Sequence, residues 1–337
     1  MSLHSGDSVR WGVLGTARIT RSSFLPALNE VSNGSIVAVA GRDRSRTEAY
    51  AEELNIRDVR VGYEALIDDD DIDAVYIPLP NSMHAEWTIA YLQAGKAVLC
   101  EKPLCASLRE ARRVLEVARQ SSRPLWEAFV FPFHRQMRQL HQLLDAGRIG
   151  DLEEIHSEFH FRLSRSGDIR LSKDLAGGSL NDVGCYPVHL ATQLFRQVPA
   201  AAVALAGQTK DGVDEQMQGV LEFSETRTLL LSCGLTRSGS TFTRIIGSTG
   251  EIRLTSPFHP RPGDSVEVRT GDGVEVEIVE EAEPTFTPAI RHIHDVLLNG
   301  APPRHLAVSE SWSTAAGLAL LHSSAQSGRR ETIENIS

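Results

Sequence analysis

Val98-Leu99-Cys100-Glu101-Lys102-Pro103-Leu104 decides how this chain is read. An apolar run, the mark of a buried strand, stops at a Glu-Lys-Pro triplet, and a helical pattern begins near Ser107. Pro103 fixes its own φ and keeps the preceding residue out of a helix, which leaves Lys102 extended or in a turn. In a parallel α/β sheet, ligands sit just beyond the carboxyl ends of the strands. A lysine placed there can donate a proton, hold a substrate oxygen or change its pKa on desolvation. Alone, the triplet favours a solvated lysine at a strand end, so the rest of the chain has to decide.

Upstream, apolar runs alternate with helical patterns. Strands are expected at Val9–Leu14, Ile36–Ala40, Ala74–Ile77, Ala97–Cys100 and Leu125–Phe129. Helices are expected from about Ser22 with a break at Pro26, over Ser45–Leu54 with Ser45 as cap, over Ser82–Gln93 ending at Gly95, and over Ser107–Gln120. Strands apolar on both faces and alternating with helices predict a doubly wound parallel sheet.

The turn after the first strand is then a candidate dinucleotide site. It reads Gly15-x-Ala17-x-x-Thr20, with Arg18 and Ile19 between, so the second and third glycines of GxGxxG are replaced. Its context, strand before and helix after, supports the reading; a plain strand-to-helix turn is the bland one. At the end of the second strand an NAD enzyme carries Asp or Glu, whereas this chain has Gly41-Arg42-Asp43-Arg44. Arginine there suits a 2′-phosphate, which favours NADP(H) over NAD(H). Asp43 is the competing ribose ligand. The Asp68–Asp71 run lacks the offsets of a calcium loop and reads as a solvated acidic loop.

From Asp151 the pattern changes to many strands: Ile155–Leu163, Ala201–Gly207, Met217–Phe223, Thr228–Gly234, Phe242–Gly247, Ile252–Leu254, Val266–Val268 and Val274–Val279. A large, mainly antiparallel open sheet is expected, with Pro288–Leu298 and Ser309–Ser324 as closing helices. The fold class is therefore α/β, a Rossmann domain over 1–125 followed by an α+β domain over 126–337. A sheet this large with one uncovered face points to a homodimer or homotetramer through the C-terminal sheet. One helix interrupts the strands, near Gly177 to Phe195, and puts Asp182, Tyr186 and His189 at i, i+4 and i+7. That face either lines a polar pocket or forms a satisfied structural cluster.

The chain has 337 residues and a net charge of −10, which argues against nucleic-acid or anionic-membrane partners. Four cysteines form neither a disulfide framework nor zinc spacing, and the twelve histidines suggest no metal site; His156, His160, His292 and His294 read as surface or packing residues. With a short polar Met1–Arg10 stretch, read as disordered at its start, and no membrane-length apolar run, a cytoplasmic protein is expected.

Taken together, WGVLGTARIT (11–20), VAVAGRD (37–43), YIPLPNSMHAEW (76–87), CEKP (100–103), EAFVFPFH (127–134) and GGSLNDVGCYP (177–187) resemble the Gfo/Idh/MocA family of sugar oxidoreductases. The resemblance implies a nicotinamide cofactor near Gly15, Ala17, Arg18, Ile19, Gly41, Arg42, Pro80, Asn81, His84, Glu101 and Lys102. It implies that Lys102 is the catalytic lysine, with Asp182 and Tyr186 flanking the substrate and His189 facing it. At a finer level, Gly167-Asp168-Ile169-Arg170 and Tyr186 are similar to nucleotide-sugar C-3 ketoreductases, which use NADPH on a dTDP-linked 4-keto-2,6-dideoxyhexose. Asp168 and Arg170 then join the substrate residues. The same Lys-Asp-Tyr set is similar to that of xylose and dihydrodiol dehydrogenases. A non-catalytic dinucleotide-binding regulator is the alternative of another class.

Overall fold

The computed structural model describes residues 8–164, 167–279 and 283–336. The expected disorder of the leading residues lies outside them. The chain divides into two compact units.

The first unit begins with β1 (Val9–Leu14), a π-helical turn Thr20–Phe24, α1 (Leu25–Val31) and β2 (Gly34–Gly41). It continues through α2 (Arg44–Glu53), β3 (Asp58–Val61), β4 (Ala74–Ile77), α3 (His84–Gln93), β5 (Ala97–Cys100), α4 (Leu108–Gln120) and β6 (Leu125–Glu127). All its strands pair in parallel, in the order β3-β2-β1-β4-β5-β6. This is the doubly wound Rossmann order, and its switch point lies between β1 and β4. The strands β4, β5 and β6 are buried at every residue, as double-sided helix cover requires.

Local chemistry differs from expectation at two places. Asp43, not Ser45, caps α2: its side chain accepts from the Arg46 N–H. An aspartate at N-cap outcompetes the serine two residues on because its carboxylate reaches the free N–H groups of the first turn. Pro26 does not end the helical segment: it sits in the first turn of α1, immediately after the junction at which the π-helical turn passes without a gap into α-helix.

The second unit holds α5 (Arg135–Asp145), β7 (Leu152–Arg162), a π-helical turn Leu180–Gly184, α6 (Cys185–Phe195), β8 (Ala201–Gln208), β9 (Asp214–Glu222), β10 (Thr228–Gly234), β11 (Thr236–Gly247), β12 (Gly250–Thr255), β13 (Ser265–Thr270) and β14 (Gly273–Ile278). Then come α7 (Thr287–Asn299), α8 (Ala307–Ser327), β15 (Glu331–Thr332) and α9 (Ile333–Ile336). The nine-stranded sheet runs β14-β13-β12-β11-β7-β10-β9-β8-β15 and is antiparallel except for the β7–β10 pair.

Register explains why one face is core. Ala202, Leu221, Leu229, Ile155, Ile245, Ile252 and Val268 lie side by side across seven strands, and all are buried. Helix α6 packs on this face at β7 and β10. One residue over, the opposite face carries the row Val203, Val220, Leu230, His156, Arg244, Arg253, Glu267 and Val276. Leu205, Val274 and Ile278 add exposed apolar side chains to it.

The division expected at 125/126 is a single cut, whereas the first unit also includes Arg109–Val130 and takes back Glu283–Ser309. Helix α7 is the reason. Trp11 Nε1 of β1 donates to His294 Nε2 across 2.9 Å, and His294 Nδ1 lies 2.5 Å from Asn33 Oδ1. A side chain at Gly34 would place its Cβ 2.4 Å from the His294 ring, so the glycine makes room for this contact. His292 Nε2 in turn accepts the Arg304 N–H. Both histidines are packing residues, as expected. Among the described residues, no helix is long and apolar enough to cross a membrane and no cluster of ligating side chains could hold a metal ion. The acidic loop is exposed at Asp68, Asp70 and Asp71, as expected, and is tied down at its edges: Arg10 pairs with Asp71 and with the neighbouring Asp73, Arg60 with Asp69, and Lys96 donates to the Asp69 carbonyl.

Candidate active site

In the first unit, the candidate residues stand at the carboxyl ends of β1, β2, β4 and β5. Gly15 adopts φ +82°, and a Cβ there would stand 2.9 Å from Leu79 Cδ2. The left-handed turn therefore needs glycine. Its N–H donates to the Ala40 carbonyl, and the Tyr50 hydroxyl donates to the Ala17 carbonyl, so the turn is tied to β2 and α2. Arg18 is exposed and Ile19 half-buried at the start of the helical segment.

At the end of β2, a Cβ on Gly41 would fall 2.1 Å from Thr47 Oγ1. That hydroxyl donates to the Asp43 carbonyl across 2.6 Å. Asp43 Oδ1 accepts from both Arg46 N and Ser45 Oγ, and these bonds hold its carboxyl below the usual range. Arg42 and Arg18 are exposed and make no ion pair among the described residues. The surroundings thus fit a dinucleotide: a glycine turn without room for a side chain, a helix start, and two cations with no internal partner beside a carboxylate that already has donors.

The Lys102 turn is anchored on both sides. The Lys102–Pro103 peptide is cis. The Tyr76 hydroxyl donates to Glu101 Oε1 across 2.7 Å, and Glu101 Oε2 accepts from the Lys102 N–H at 3.3 Å. Burial first, and then the Glu101 carboxylate, push the Tyr76 phenol well above its ordinary pKa, so it stays a donor. Leu104 N donates to Glu127 Oε1. His84 is fully buried, with Nδ1 2.8 Å from the Pro103 oxygen and Nε2 2.7 Å from the Leu79 oxygen. Pro80, Asn81 and Lys102 are half-buried beside these loops.

In the second unit, Asp182 sits in the π-helical turn and Tyr186 in the first turn of α6. The turn is built on two glycines. Gly177 lies so close to the Arg170 carbonyl that a Cβ would stand 2.4 Å from its oxygen, and Gly178, at φ +117°, would push a Cβ to 2.1 Å from Asp214 Oδ1. Asp214 accepts from Ser179 Oγ and from Leu180 N, both at 2.7 Å, and so caps the helical segment from β9.

Arg170 joins two other expected residues. Its Nε donates to Asp182 Oδ2 at 2.6 Å and its Nη1 to Asp168 Oδ1 at 3.2 Å. Burial works against the Arg170 charge, but the two carboxylates outweigh it and raise the pKa. The Tyr186 ring is 8% exposed and packs among Phe131, Phe159, Phe258 and His259. His189 is 2% exposed, with Nδ1 2.9 Å from Thr314 Oγ1 and Nε2 3.5 Å from Glu310 Oε2 of α8. Asp168, Arg170 and Asp182 thus form one bonded group; His189 belongs to a separate buried one.

Sequence reading missed Asp214, Tyr76 and Glu127. The paired glycines before Ser179 could have signalled a close approach, but nothing local marks a partner 35 residues away. Tyr76 and Glu127 read as parts of apolar strands.

A parallel six-stranded sheet with a glycine turn at its switch point, followed by a large mixed sheet, is the architecture of a dinucleotide-binding protein with a second, sheet-built unit. The family model described as "Oxidoreductase family, NAD-binding Rossmann fold" matches residues 9–129, and that of the GFO/IDH/MocA C-terminal domain matches 137–253. The chain belongs to the Gfo/Idh/MocA oxidoreductase family, and its reaction type is oxidation or reduction at CH–OH groups. It is 35% identical over 322 residues to a D-xylose 1-dehydrogenase (NADP(+)) of Haloferax volcanii, covering 94% of this chain and 98% of that protein. It is 34% identical over 304 residues to the dTDP-3,4-didehydro-2,6-dideoxy-alpha-D-glucose 3-reductase of Actinomadura kijaniata, covering 89% and 91%. The crystal structure of KijD10, a 3-ketoreductase from the same organism in complex with NADP and TDP-benzene, superposes with a TM-score of 0.85 at 31% identity, covering 94% of this chain and 98% of that one.

Proposed function

We propose that the protein is an NADP(H)-dependent reductase of a nucleotide-linked keto-sugar, acting at C-3 of a dTDP-linked 4-keto-2,6-dideoxyhexose. The observation that carries the substrate class is the likeness, over nearly the whole of both chains, to a ketoreductase crystallised with NADP and TDP-benzene. NADP(H) is favoured over NAD(H) because Arg42 offers a guanidinium with no ion-pair partner among the described residues, while Asp43 is engaged as a helix cap.

Gly15, Ala17, Arg18, Ile19, Gly41 and Arg42 would hold the dinucleotide, with Pro80, Asn81 and Glu101 shaping the nicotinamide end. Bound NADP(H) supplies or accepts the hydride. Lys102 and Tyr186 hydrogen-bond the reacting sugar oxygen, and one of them gives or takes its proton. Charge builds on that oxygen in the transition state, and a preplaced ammonium stabilises it. Asp182, its carboxylate fixed by Arg170, orients the pair. Asp168 and Arg170 complete the substrate side, while His189 lies buried against Thr314 and Glu310.

The test is NADPH oxidation at 340 nm with a panel of keto-sugars and dTDP-keto-sugars. Lys102→Ala should lose about 10²–10⁴-fold in kcat and still bind NADPH; near-normal turnover would remove Lys102 from the chemistry. A second reading, an aldose dehydrogenase, is favoured by the 35% identity to the xylose enzyme. It requires NADP+ reduction with free D-xylose and no turnover of the nucleotide-linked ketone.

The protein works as a homodimer or homotetramer associated through the second unit's sheet. What supports this is the face bearing Val203, Leu205, Val274, Val276 and Ile278, of which Leu205 is 72% exposed.

A further inference from the structure

One buried imidazole spans the two loops that end adjacent strands. Leu79 follows β4, Pro103 follows β5, and the two strands pair in parallel from Ala74–Ala97 to Ile77–Cys100. His84, at the start of α3, places one ring nitrogen against each loop's carbonyl oxygen, at 2.7 and 2.8 Å. Both nitrogens are thereby engaged with the protein's own backbone, and the ring has no exposed surface. A neutral imidazole carries a single N–H and satisfies one of two carbonyls. Burial is the largest influence on the ring and lowers its pKa; the two carbonyls act the other way, and the charge of Lys102 adds to the lowering. Burial thus favours the neutral ring, which has one proton to place between the two carbonyls.

The stretch it faces is pinned at each neighbour. Glu101 is bonded to Tyr76, and the Leu104 N–H to Glu127. Pro103 has no N–H to offer, so its carbonyl is the only polar backbone group by which that residue can be held. We propose that His84 is a positioning residue for Lys102: it donates from Nδ1 to the Pro103 carbonyl and thereby sets where the lysine ammonium stands. This replaces the cofactor contact implied by the family resemblance with a brace behind the catalytic lysine, and it rests on the role given to Lys102 above.

The side chains that divide the imidazole's two functions test it. Asparagine carries an amide nitrogen near the Nδ1 position, glutamine near the Nε2 position, and leucine carries none. His84→Asn, His84→Gln, His84→Leu and Lys102→Ala are compared for kcat, KM, NADPH dissociation constant and melting temperature. In the protein without cofactor, the rate at which trinitrobenzenesulfonate modifies Lys102 is followed from neutral to alkaline pH by peptide mass spectrometry. His84→Gln and His84→Leu should lose about 10- to 100-fold in kcat, the cost of a small misplacement, with NADPH affinity unchanged. Their Lys102 modification profile should shift along the pH axis. His84→Asn should keep most of kcat and the wild-type profile. Glutamine, polar and of similar size, keeps the comparison open should the leucine variant unfold. Equal losses in the asparagine and glutamine variants, or losses confined to NADPH affinity, overturn the proposal. A fully active Lys102→Ala overturns the role of Lys102 instead, and the modification profile, which needs no turnover, still decides the brace.

Discussion

Arg170 donates from Nε to Asp182 Oδ2 across 2.6 Å while its Nη1 reaches Asp168, so one guanidinium fixes the direction in which the Asp182 carboxylate points. Charge-assisted bonds of this kind are the strong ones, and a lysine cannot reproduce the fork. Arg170→Lys and Arg170→Met should therefore lower kcat by about ten-fold or more, with NADPH affinity unchanged. Steady-state kinetics beside calorimetric titration of NADPH checks this; a loss seen only in KM would make Arg170 a plain substrate contact.

Arg42 and Asp43 are neighbours with opposite expected effects. Arg42→Ala should weaken NADPH by about ten-fold or more and leave NADH nearly unaffected, since only the 2′-phosphate contact is removed. Asp43→Ala should instead lower the melting temperature through the lost cap of α2. Fluorescence titration with both cofactors and a thermal melt separate the two. Equal weakening of NADPH and NADH in Arg42→Ala would refute the assignment.

His292 and His294 are held at about 4, both chiefly by burial, against an ordinary 6.5. Between those values the unfolded chain binds protons that the folded chain does not. Their contribution is thus complete above about pH 6.5 and is lost progressively as the pH falls toward 4. The melting temperature should fall over that window. His294→Gln should show a lower melting temperature at pH 7 and a shallower decline below it. A slope identical to wild type would show that His294 does not titrate there.

Gly178 combines a left-handed φ with a Cβ position already filled by the Asp214 carboxylate. Gly178→Ala should destabilise by roughly 1–3 kcal/mol and reduce turnover, because the Asp214 cap and the Asp182 turn move together. Denaturant unfolding beside kcat measures both.

Leu205→Glu, placed in the open sheet face of the second unit, should shift the protein toward monomer with its fold intact. Light scattering after size exclusion reads the mass directly; an unchanged mass would move the association elsewhere.

What the sequence disclosed follows from where each signal lies. The alternation of apolar strands and helices is local, and Val9–Leu14, Ala74–Ile77 and Ala97–Cys100 stand where their composition put them. The Asp58–Val61 strand was missed because half of it is exposed at the sheet edge and carries Asp and Arg. Helix α5 was missed because Arg, Gln and His fill most of Arg135–Asp145, leaving Met137 and Leu140 as its fully buried apolar residues. Among the site residues, types were legible and partners were not. Arg170 was recognisable as a candidate, but its bond to Asp182 depends on how Gly177 and Gly178 turn the chain.

The Trp11–His294–Asn33 contact joins the first strand of the chain to a helix that begins some 270 residues later. The first unit is therefore interrupted in the gene, with residues 131–282 carried as an insertion inside it. During synthesis the ribosome delivers the whole insertion before the last piece of the Rossmann unit exists. Eight strands of the second unit's sheet, β7 to β14, can assemble first, while Trp11 waits for its histidine. For anyone dissecting the protein, truncation after residue 130 yields an incomplete fragment. A free-standing first unit would have to be built by splicing residue 130 to residue 283.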